Sequence, residues 1–264
     1  MEAPMTISVI GSGNVATHLV KAWATNGVII RHIISKTKIN ADLLGEISFA
    51  QKTGDSLFDL DDLSDFYMIA VQDDHIEDII DSFPFCLTGN QIVLHSSGSF
   101  NEIKLAKIAK NYGCLYPLQT FSKAKEVDLK NTPFFISSNE KESLESIEKL
   151  AGILSDTVIQ KNHSDRQKLH VAAVFANNFT NHLFTISKDF CKKNNLEFEL
   201  LWPLIEEGTK KARTKGPEYS QTGPAVRDDK KTIEHHEKLL ENEPDWLSLY
   251  QIFTELIQKR HKRP

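Results

Sequence analysis

The most constraining feature of the sequence is the order of short patterns in its first 35 residues. The apolar run 6–10 stops at a Gly-Ser-Gly turn, 11–13, and apolar positions then recur at helical spacing over 15–23. A β-branched run, 28–34, follows the Asn-Gly pair 26–27, which is typical of a helix end and a turn. This order predicts a strand, a tight turn, a helix and a second strand, which together make a parallel βαβ unit.

The same alternation continues to about residue 160. Further strands are predicted at 66–71, 91–95, 113–116, 134–136 and 157–159, and helices at 74–83, 103–109 and 141–154. The strands are almost continuously apolar, as in a parallel sheet that helices cover on both faces. The sequence therefore predicts an α/β fold with a Rossmann-type, doubly wound, mostly parallel sheet.

The character of the chain changes after about residue 160, where β-branched strands disappear. Long helical patterns dominate instead, at 165–194, 200–215 and 244–260, and the turn-rich stretch 216–229 separates the last two. We therefore predict an α/β domain over residues 1–158 and an all-helical domain over residues 159–264. The apolar face of the longest helix is wide, which favours burial against a second copy of the chain and hence a homodimer.

Residues 11–16 match the pattern GxGxxA between a strand and a helix, the context in which that pattern indicates dinucleotide binding. Gly11 permits the tight turn, and Gly13 lets the backbone approach a pyrophosphate. The N–H groups at the helix start, near Asn14 and Val15, then face the phosphates. The alternative is a glycine turn with a purely structural role. We expect the N-terminal domain to bind a dinucleotide.

The end of the second strand favours NADP(H) over NAD(H). NAD-specific proteins have an acidic residue there for the ribose hydroxyls, whereas this chain has Ser35-Lys36-Thr37-Lys38. Ser35 and Lys36 can bind a 2′-phosphate through hydrogen bonds that a carboxylate would oppose. The alternative is that these lysines are solvated loop charges.

Composition argues against several classes of protein. The net charge of -5 opposes general attraction to nucleic acid or to anionic membranes. The three cysteines are widely spaced, without CxxC or metal-ligand spacing, so we expect no metal and free thiols in a reducing, cytoplasmic compartment. No apolar stretch reaches the length of about 18–20 residues that a membrane span needs.

Six ordered motifs resemble a known group: GSGNVATHL, DFYMIAVQDDHI, VLHSSGS, YPLQTF, HVAAVFANNFTNHL and TGPAVRDD. They are similar to the NADP oxidoreductases of the pyrroline-5-carboxylate-reductase-like and 6-phosphogluconate-dehydrogenase-like superfamily. They resemble still more a bacterial branch of unknown function with a Rossmann-like domain and a helical C-terminal domain. The resemblance implies that Val71, Gln72 and Asp73 border the cofactor and that 95–98, including Ser97, line its nicotinamide side. Relatives commonly have Pro at Gln72, and many have His at Tyr116.

The longest predicted helix carries the candidate catalytic residues. Wider relatives use the lysine of KxxNN for proton transfer, but this chain has Val174 at that position. His170 is the replacement we predict, because an imidazole titrates near neutral pH. Asn177 would orient a carbonyl or amide oxygen beside it, and Asn178 and Asn181 would contact substrate. Alternatively, these side chains bond to loops of the first domain or to a partner subunit.

Two further residues are candidates for substrate contact. The resemblance implies that Gln119 touches substrate, and Arg227 offers a guanidinium for a carboxylate or phosphate, unless it pairs with an Asp at a helix N-cap. The leading prediction is a reductase moving hydride between NADP(H) and a small carbonyl or imine in the interdomain cleft. The alternative is a non-catalytic NADP(H) sensor or assembly module. A link between NADP and a deazaflavin has only fold analogy behind it.

Overall fold

The computed structural model describes residues 3–261 and divides the chain into two compact units, Met1–Ala176 and Asn177–Pro264. One eight-stranded sheet forms the centre of the first unit. Its strands are β1 (Thr6–Ile10), β2 (Ile29–Ile34), β3 (Lys52–Gly54), β4 (Phe66–Ile69), β5 (Leu87–His95), β6 (Ala109–Pro117), β7 (Phe134–Ser138) and β8 (Val158–Gln160).

The strand order is β3-β2-β1-β4-β5-β6-β7-β8. Neighbouring strands are parallel throughout, except that β6 and β7 are antiparallel. The chain winds outward from β1 through β2 to β3 and then returns to place β4 on the other side of β1. In such sheets, ligands bind at this switch point, outside the carboxyl ends of the strands. The predicted Rossmann-type sheet is confirmed.

Helices cover both faces of the sheet. They are α1 (Asn14–Thr25), α2 (Lys38–Ser48), α3 (Ile76–Asp81), α4 (Lys141–Gly152) and α5 (His163–Ala173). Adjacent residues of one strand point to opposite faces: Met68 packs in the same core cluster as Trp23 of α1, whereas Ile69 packs in a second cluster with Ile76 of α3. Burial on both faces explains why the strands read as continuous apolar runs.

The sequence patterns missed α2 and β3. The strand has three residues, and β2 supplies its backbone partners through pairs such as Ile34 with Gly54. The segment 103–109, predicted as a helix, instead forms a 3-10 helix, Glu102–Lys107, and the start of β6. Both differences arise because strand pairing, which a single segment does not reveal, overrides local preference.

The second unit consists of helices, as predicted. They are α6 (Thr180–Lys193), α7 (Trp202–Lys215), α8 (Pro217–Ser220), α9 (Lys230–Leu239) and α10 (Pro244–His261). None of the helices within residues 3–261 has both the length and the apolar character needed to cross a membrane.

The predicted helix 165–194 is not a single α-helix. Helix α5 ends at Ala173, and the six residues Val174–Phe179 adopt a π-helical conformation before α6 begins. Helix α5 also lies within the first compact unit, so the division after Ala176 falls later than the expected boundary at 158. The physical reason is Arg166, which is completely buried in that unit and donates to the Phe100 carbonyl oxygen.

Candidate functional site

The two glycines of the phosphate loop have different surroundings. Gly11 has a φ of +117°, and an ideal Cβ there would lie 2.2 Å from the Ala70 carbonyl oxygen. A Cβ at Gly13 would meet no atom within 4 Å. Gly13 caps α1 without a side-chain hydrogen bond, so the first N–H groups of the helix remain available to a ligand. Close packing therefore requires a glycine at position 11. The space beside Gly13 is open, and we call this space the cradle; a side chain at Gly13 would fill it.

The loop opens into a cavity of about 900 Å³ at the carboxyl ends of β1, β2 and β4. Eight of the residues predicted to bind cofactor line it: Gly11, Gly13, Asn14, Val15, Ser35, Lys36, Val71 and Gln72. Ser96, from the segment 95–98 that the family resemblance implied, also lines it, whereas five other lining residues were not predicted: Asp55, Leu57, His75, Asp78 and Ile79. Recognition of β3 would have indicated Asp55, because it directly follows that strand. Cavities of this size are typical of small-molecule and cofactor sites.

The end of the cavity beyond β2 and β3 has mixed charge. Ser35 and Asp55 follow the paired residues Ile34 and Gly54, so they occupy neighbouring strand ends. The Ser35 hydroxyl lies 2.6 Å from the Ser12 hydroxyl, and the Ser35 N–H donates to the Gly54 carbonyl oxygen at 3.0 Å. Lys36 and Asp55 are both exposed. This end therefore offers hydroxyl groups, one ammonium group and one carboxylate.

Asp73 and Ser97 were predicted to border the cofactor, but neither lines the large cavity. They bond to each other instead, because the Ser97 hydroxyl donates to the Asp73 carboxylate at 2.7 Å, and so does the Ser99 hydroxyl. The Ser97 oxygen also accepts from the backbone N–H groups of Ser99 and Phe100. The Ser97 N–H donates to Nδ1 of His95 at 3.1 Å. In this structure, the Ser97 side chain anchors the turn after β5.

His170, the predicted catalytic residue, is paired with a tyrosine. Its Nδ1 lies 3.0 Å from the hydroxyl oxygen of Tyr116, and both side chains are half-buried. Tyr116 lies two residues beyond Cys114, the β6 partner of His95 at the end of β5. The pair therefore occupies the carboxyl-end edge of the sheet, where the cavity also opens. In the sequence, Tyr116 stands where many relatives have His, but no local pattern indicates its hydrogen-bond partner.

A buried ion pair holds α5 against the turn after β5. Arg166 Nη2 lies 2.7 Å from the Glu102 Oε2 and 2.7 Å from the Phe100 carbonyl oxygen. The Ser137 hydroxyl donates to the other Glu102 oxygen at 2.6 Å. Burial alone would raise the pKa of Glu102, but His95, Arg166 and Ser137 lower that pKa overall. This arrangement fixes the helix that carries His170.

Two members of this group, His95 and Arg166, each have a buried nitrogen without a hydrogen-bond partner among residues 3–261, namely Nε2 of His95 and Nε of Arg166. His95 is completely buried, and its Nε2 lies 4.0 Å from Glu102. Burial lowers the pKa of His95, which favours the neutral imidazole.

The other predicted substrate residues are exposed. Asn177, Asn178 and Asn181 belong to the second unit, and Asn177 and Asn178 lie in the π-helical segment. The exposed Gln119 accepts at its side-chain oxygen from the Thr120 N–H at 2.8 Å and does not line the large cavity.

Arg227 is exposed, and the neighbouring Asp229 caps α9 by accepting from the Thr232 N–H at 3.2 Å. The N-cap that the sequence analysis weighed against a substrate role for Arg227 is therefore present. Residues 3–261 contain no group of three or more His, Cys, Asp or Glu side chains that could hold a metal ion.

Comparison with protein-family models gives one match. Residues 132–257 match the model described as a domain of unknown function, DUF2520. A search of curated proteins found no match.

Solved structures resemble the whole chain. A Bacteroides fragilis protein, provisionally described as an NADP oxidoreductase, is 32% identical, with a TM-score of 0.90 over 97% of this chain and 98% of that one. A Thermotoga maritima protein is 21% identical, with a TM-score of 0.78 over 97% of this chain and 100% of that one. The reductive aminase from Aspergillus terreus in complex with NADPH and ethyl-5-oxohexanoate is 11% identical, with a TM-score of 0.76 over 97% and 93%.

Proposed function

Because this chain belongs to the pyrroline-5-carboxylate-reductase-like and 6-phosphogluconate-dehydrogenase-like family of Rossmann NADP oxidoreductases with a helical C-terminal domain, we propose that it is an NADP(H)-dependent reductase. Its substrate is a small carbonyl or imine compound that accepts a hydride. The observation that carries the proposal is the cavity of about 900 Å³ at the switch point of the sheet, with the open cradle at Gly13. The Bacteroides fragilis protein, at 32% identity, is provisionally described as an NADP oxidoreductase and supports the same assignment.

The residues of the cavity fit a dinucleotide. The N–H groups at the start of α1 would hold the pyrophosphate, since a helix N-terminus favours anions. Ser35 and Lys36 would bind the 2′-phosphate, and Val71 and Gln72 would border the nicotinamide half. The bound cofactor supplies the hydride, and the protein supplies orientation and a proton donor. Asp73 and Ser97, which bond to each other, would support the turn on the nicotinamide side.

His170 is the proposed proton donor to the substrate oxygen or nitrogen. It is a half-buried imidazole at the carboxyl-end edge of the sheet that carries the cavity. A proton donor placed beside the reacting atom contributes about 10²–10⁴-fold to a rate. The assignment of Asn177 to catalysis, and of Gln119, Asn178, Asn181 and Arg227 to substrate contact, stays a prediction.

We also propose that the chain forms a homodimer through its helical unit. Leu200 and Leu204 lie one helical turn apart and are 71% and 70% exposed. Leu239, Ile252 and Leu256 also expose more than half of their surface. A second copy of the chain would cover such apolar side chains, as in obligate dimers.

Thermal-shift titration of the full chain with NADPH and with NADH tests the cofactor assignment. We expect tighter NADPH binding, and we expect Ser35→Asp to weaken NADPH about tenfold or more, because a carboxylate repels the 2′-phosphate. A matched control is Ser146→Asp, which changes a half-buried serine on α4 away from the lining of the cavity. Tighter stabilisation by NADH would contradict the NADP(H) assignment, and no response to either would contradict the dinucleotide site.

A non-catalytic NADP(H) sensor is the second candidate, favoured by Val174 in place of the proton-transferring lysine of wider relatives. Oxidation of NADPH with cyclic imines such as 1-pyrroline, and with small ketones plus amines, separates the two functions. We expect turnover in the wild type and its loss in His170→Gln with NADPH binding intact. Tight NADPH binding without turnover of any of these substrates would favour the sensor.

A further inference from the structure

The environment of His170 contains one feature that its proposed role does not explain, the hydrogen bond to Tyr116. The 3.0 Å contact joins the Tyr116 hydroxyl to Nδ1, whereas no hydrogen bond to Nε2 occurs within residues 3–261. The ring of Tyr116 also packs at 6.3 Å, centroid to centroid, from Phe135 of the adjacent strand β7. The tyrosine is therefore fixed by the sheet, while the far nitrogen of the histidine remains available.

Gly98 makes room for this pair. An ideal Cβ at Gly98 would lie 2.7 Å from Nδ1 of His170 and 3.0 Å from Cζ of Tyr116. Real Cβ atoms essentially never approach other atoms more closely than 3.0 Å, so any side chain at this position would displace the imidazole. The turn after β5 thus packs directly against the atoms that form the hydrogen bond.

The direction of the hydrogen bond follows from the protonation of the hydroxyl. Burial first, and then the nearby Cys114 and Asp73, raise the pKa of Tyr116 to about 12, although Arg166 opposes them. The hydroxyl therefore keeps its proton at neutral pH. Within residues 3–261, His170 is its only hydrogen-bond partner. Donation to Nδ1 leaves no half-buried donor unpaired, whereas a half-buried hydroxyl that makes no hydrogen bond is destabilising.

We propose that Tyr116 is a positioning residue for His170: its hydroxyl donates to Nδ1 and holds the neutral imidazole in the tautomer with the proton on Nε2. A neutral imidazole has one donor and one acceptor nitrogen, so an occupied acceptor at Nδ1 defines Nε2 as the donor. This inference rests on the proposed function, in which His170 gives a proton to the substrate. The inference adds the tautomer of His170 that can donate a proton from Nε2 to the substrate.

Tyr116 and His170 together account for the proton that the substrate receives. As hydride reaches the carbonyl or imine carbon, the Nε2–H bond breaks and a new O–H or N–H bond forms on the substrate. Nδ1 takes the hydroxyl proton of Tyr116, so the imidazole stays neutral, and the phenolate then recovers a proton from water. The direction is favourable for a carbonyl, because an alkoxide resembles hydroxide in basicity and is therefore a stronger base than the Tyr116 phenolate.

The test is the tautomer of His170 in the full chain, read from the two ring-nitrogen chemical shifts of protein labelled with ¹⁵N-histidine. His170→Gln identifies the resonances. We expect Nδ1 to be unprotonated and Nε2 protonated in the wild type. We expect Tyr116→Phe to convert this single tautomer to a mixture, while the phenyl ring keeps the packing.

Tyr112→Phe is the matched control, because Tyr112 is a half-buried tyrosine on the same strand whose hydroxyl has no hydrogen bond within residues 3–261. It should leave the His170 shifts unchanged. A proton on Nδ1 of the wild type, or identical shifts in wild type and Tyr116→Phe, would overturn the inference. If Tyr116→Phe does not fold, Gly98→Ala disturbs the same pair from the other side and should also change the shifts.

Kinetics separate this inference from the proposed function. With 1-pyrroline and NADPH, Tyr116→Phe should lower kcat about tenfold with KM unchanged, a smaller loss than that in His170→Gln. The tautomer measurement needs neither cofactor nor substrate. If the wild type shows the expected tautomer but the His170→Gln variant turns over normally, the catalytic role of His170 is contradicted. The hydrogen-bond assignment is not.

Discussion

The two compact units differ in where their apolar side chains lie. The first unit buries a core on each face of its sheet. In the described part of the second unit, Cys191, Phe198 and Ala225 are the only buried hydrophobic residues, while Leu200 and Leu204 are largely exposed. Burial stabilises by about 25 cal/mol per Å² of apolar surface. The first unit therefore gains most of its stabilisation from its own core, whereas the second leaves more of its large apolar side chains exposed.

The largest expected effect is in the first unit, at Gly11. Gly11→Ala places a Cβ 2.2 Å from the Ala70 carbonyl oxygen on a backbone with a φ of +117°. We expect a loss of more than about 4 kcal/mol in the free energy of unfolding, or no folded protein. Urea denaturation of the full chain measures it. A loss below about 1 kcal/mol would mean that this core tolerates far more change than its packing indicates.

Arg166→Leu is the second test of the first unit. It leaves the partly buried Glu102 carboxylate, 13% exposed, without its 2.7 Å partner, and removal of one member of a fully buried ion pair costs about 3–5 kcal/mol, so we expect a loss toward the lower end of that range. The double variant Arg166→Leu with Glu102→Leu should recover part of this loss, because no unpaired charge remains. Urea denaturation of the single and double variants gives both values. Equal stabilities for wild type and Arg166→Leu would show that the ion pair does not hold α5.

Acid should weaken the first unit through the same carboxylate. The folded-state pKa of Glu102 lies below its ordinary value of 4.5, so its contribution is complete above that pH. The contribution is lost as the pH falls from there toward the folded-state value. Glu102→Gln should therefore flatten the acid limb of a stability curve, while Glu145→Gln on α4 should not. An unchanged acid limb in Glu102→Gln would contradict this origin.

The second unit should respond through association more than through its own stability. Leu204→Arg places a charge on an exposed apolar surface, so we expect a small effect on the folded chain and dissociation of the proposed dimer. Sedimentation equilibrium measures the oligomeric state. Leu63→Arg is the matched control, because Leu63 is 67% exposed in the first unit. A wild type that is monomeric at all concentrations would contradict the proposed dimer, and with it the expectation that the second unit responds mainly through association.

The smallest expected change in stability is at Gly13. Because a Cβ there meets nothing within 4 Å, Gly13→Ala should change the free energy of unfolding by about 0.5 kcal/mol or less. The affinity for NADPH should fall all the same, since the methyl group occupies the cradle expected to hold the pyrophosphate. Urea denaturation and thermal-shift titration measure the two effects. Unchanged NADPH binding in Gly13→Ala would contradict the placement of the cofactor.

Much of the first unit could be predicted because its local patterns and its tertiary structure agree. The turn 11–13 has one strand before it and one helix after it, and the structure places them there. The strand β3 and its neighbour Asp55 could not be predicted, because three residues carry no periodic pattern and β2 supplies the pairing. For the same reason, the sequence did not reveal that the Asp55 carboxylate and the Lys36 ammonium group line the same end of the cavity.

The interruption of the long predicted helix also could not be predicted from the sequence. An apolar face repeating about every 3.6 residues predicts an α-helix through 165–194, but residues 174–179 are π-helical. A π-helical turn has a wider hydrogen-bond spacing, and the sequence pattern cannot distinguish one such turn from an α-helical one. The prediction that Asn177 acts beside His170 depended on a regular helix.

The sequence by itself determined the Rossmann-type sheet and the phosphate loop, because each depends on the order of local patterns along the chain. Tertiary structure decided which polar groups meet. Tyr116 and His170, or Glu102 and Arg166, are far apart in the chain and pair only when β6 or the turn after β5 packs against α5. Such pairs have no periodicity, so distance in space alone reveals them.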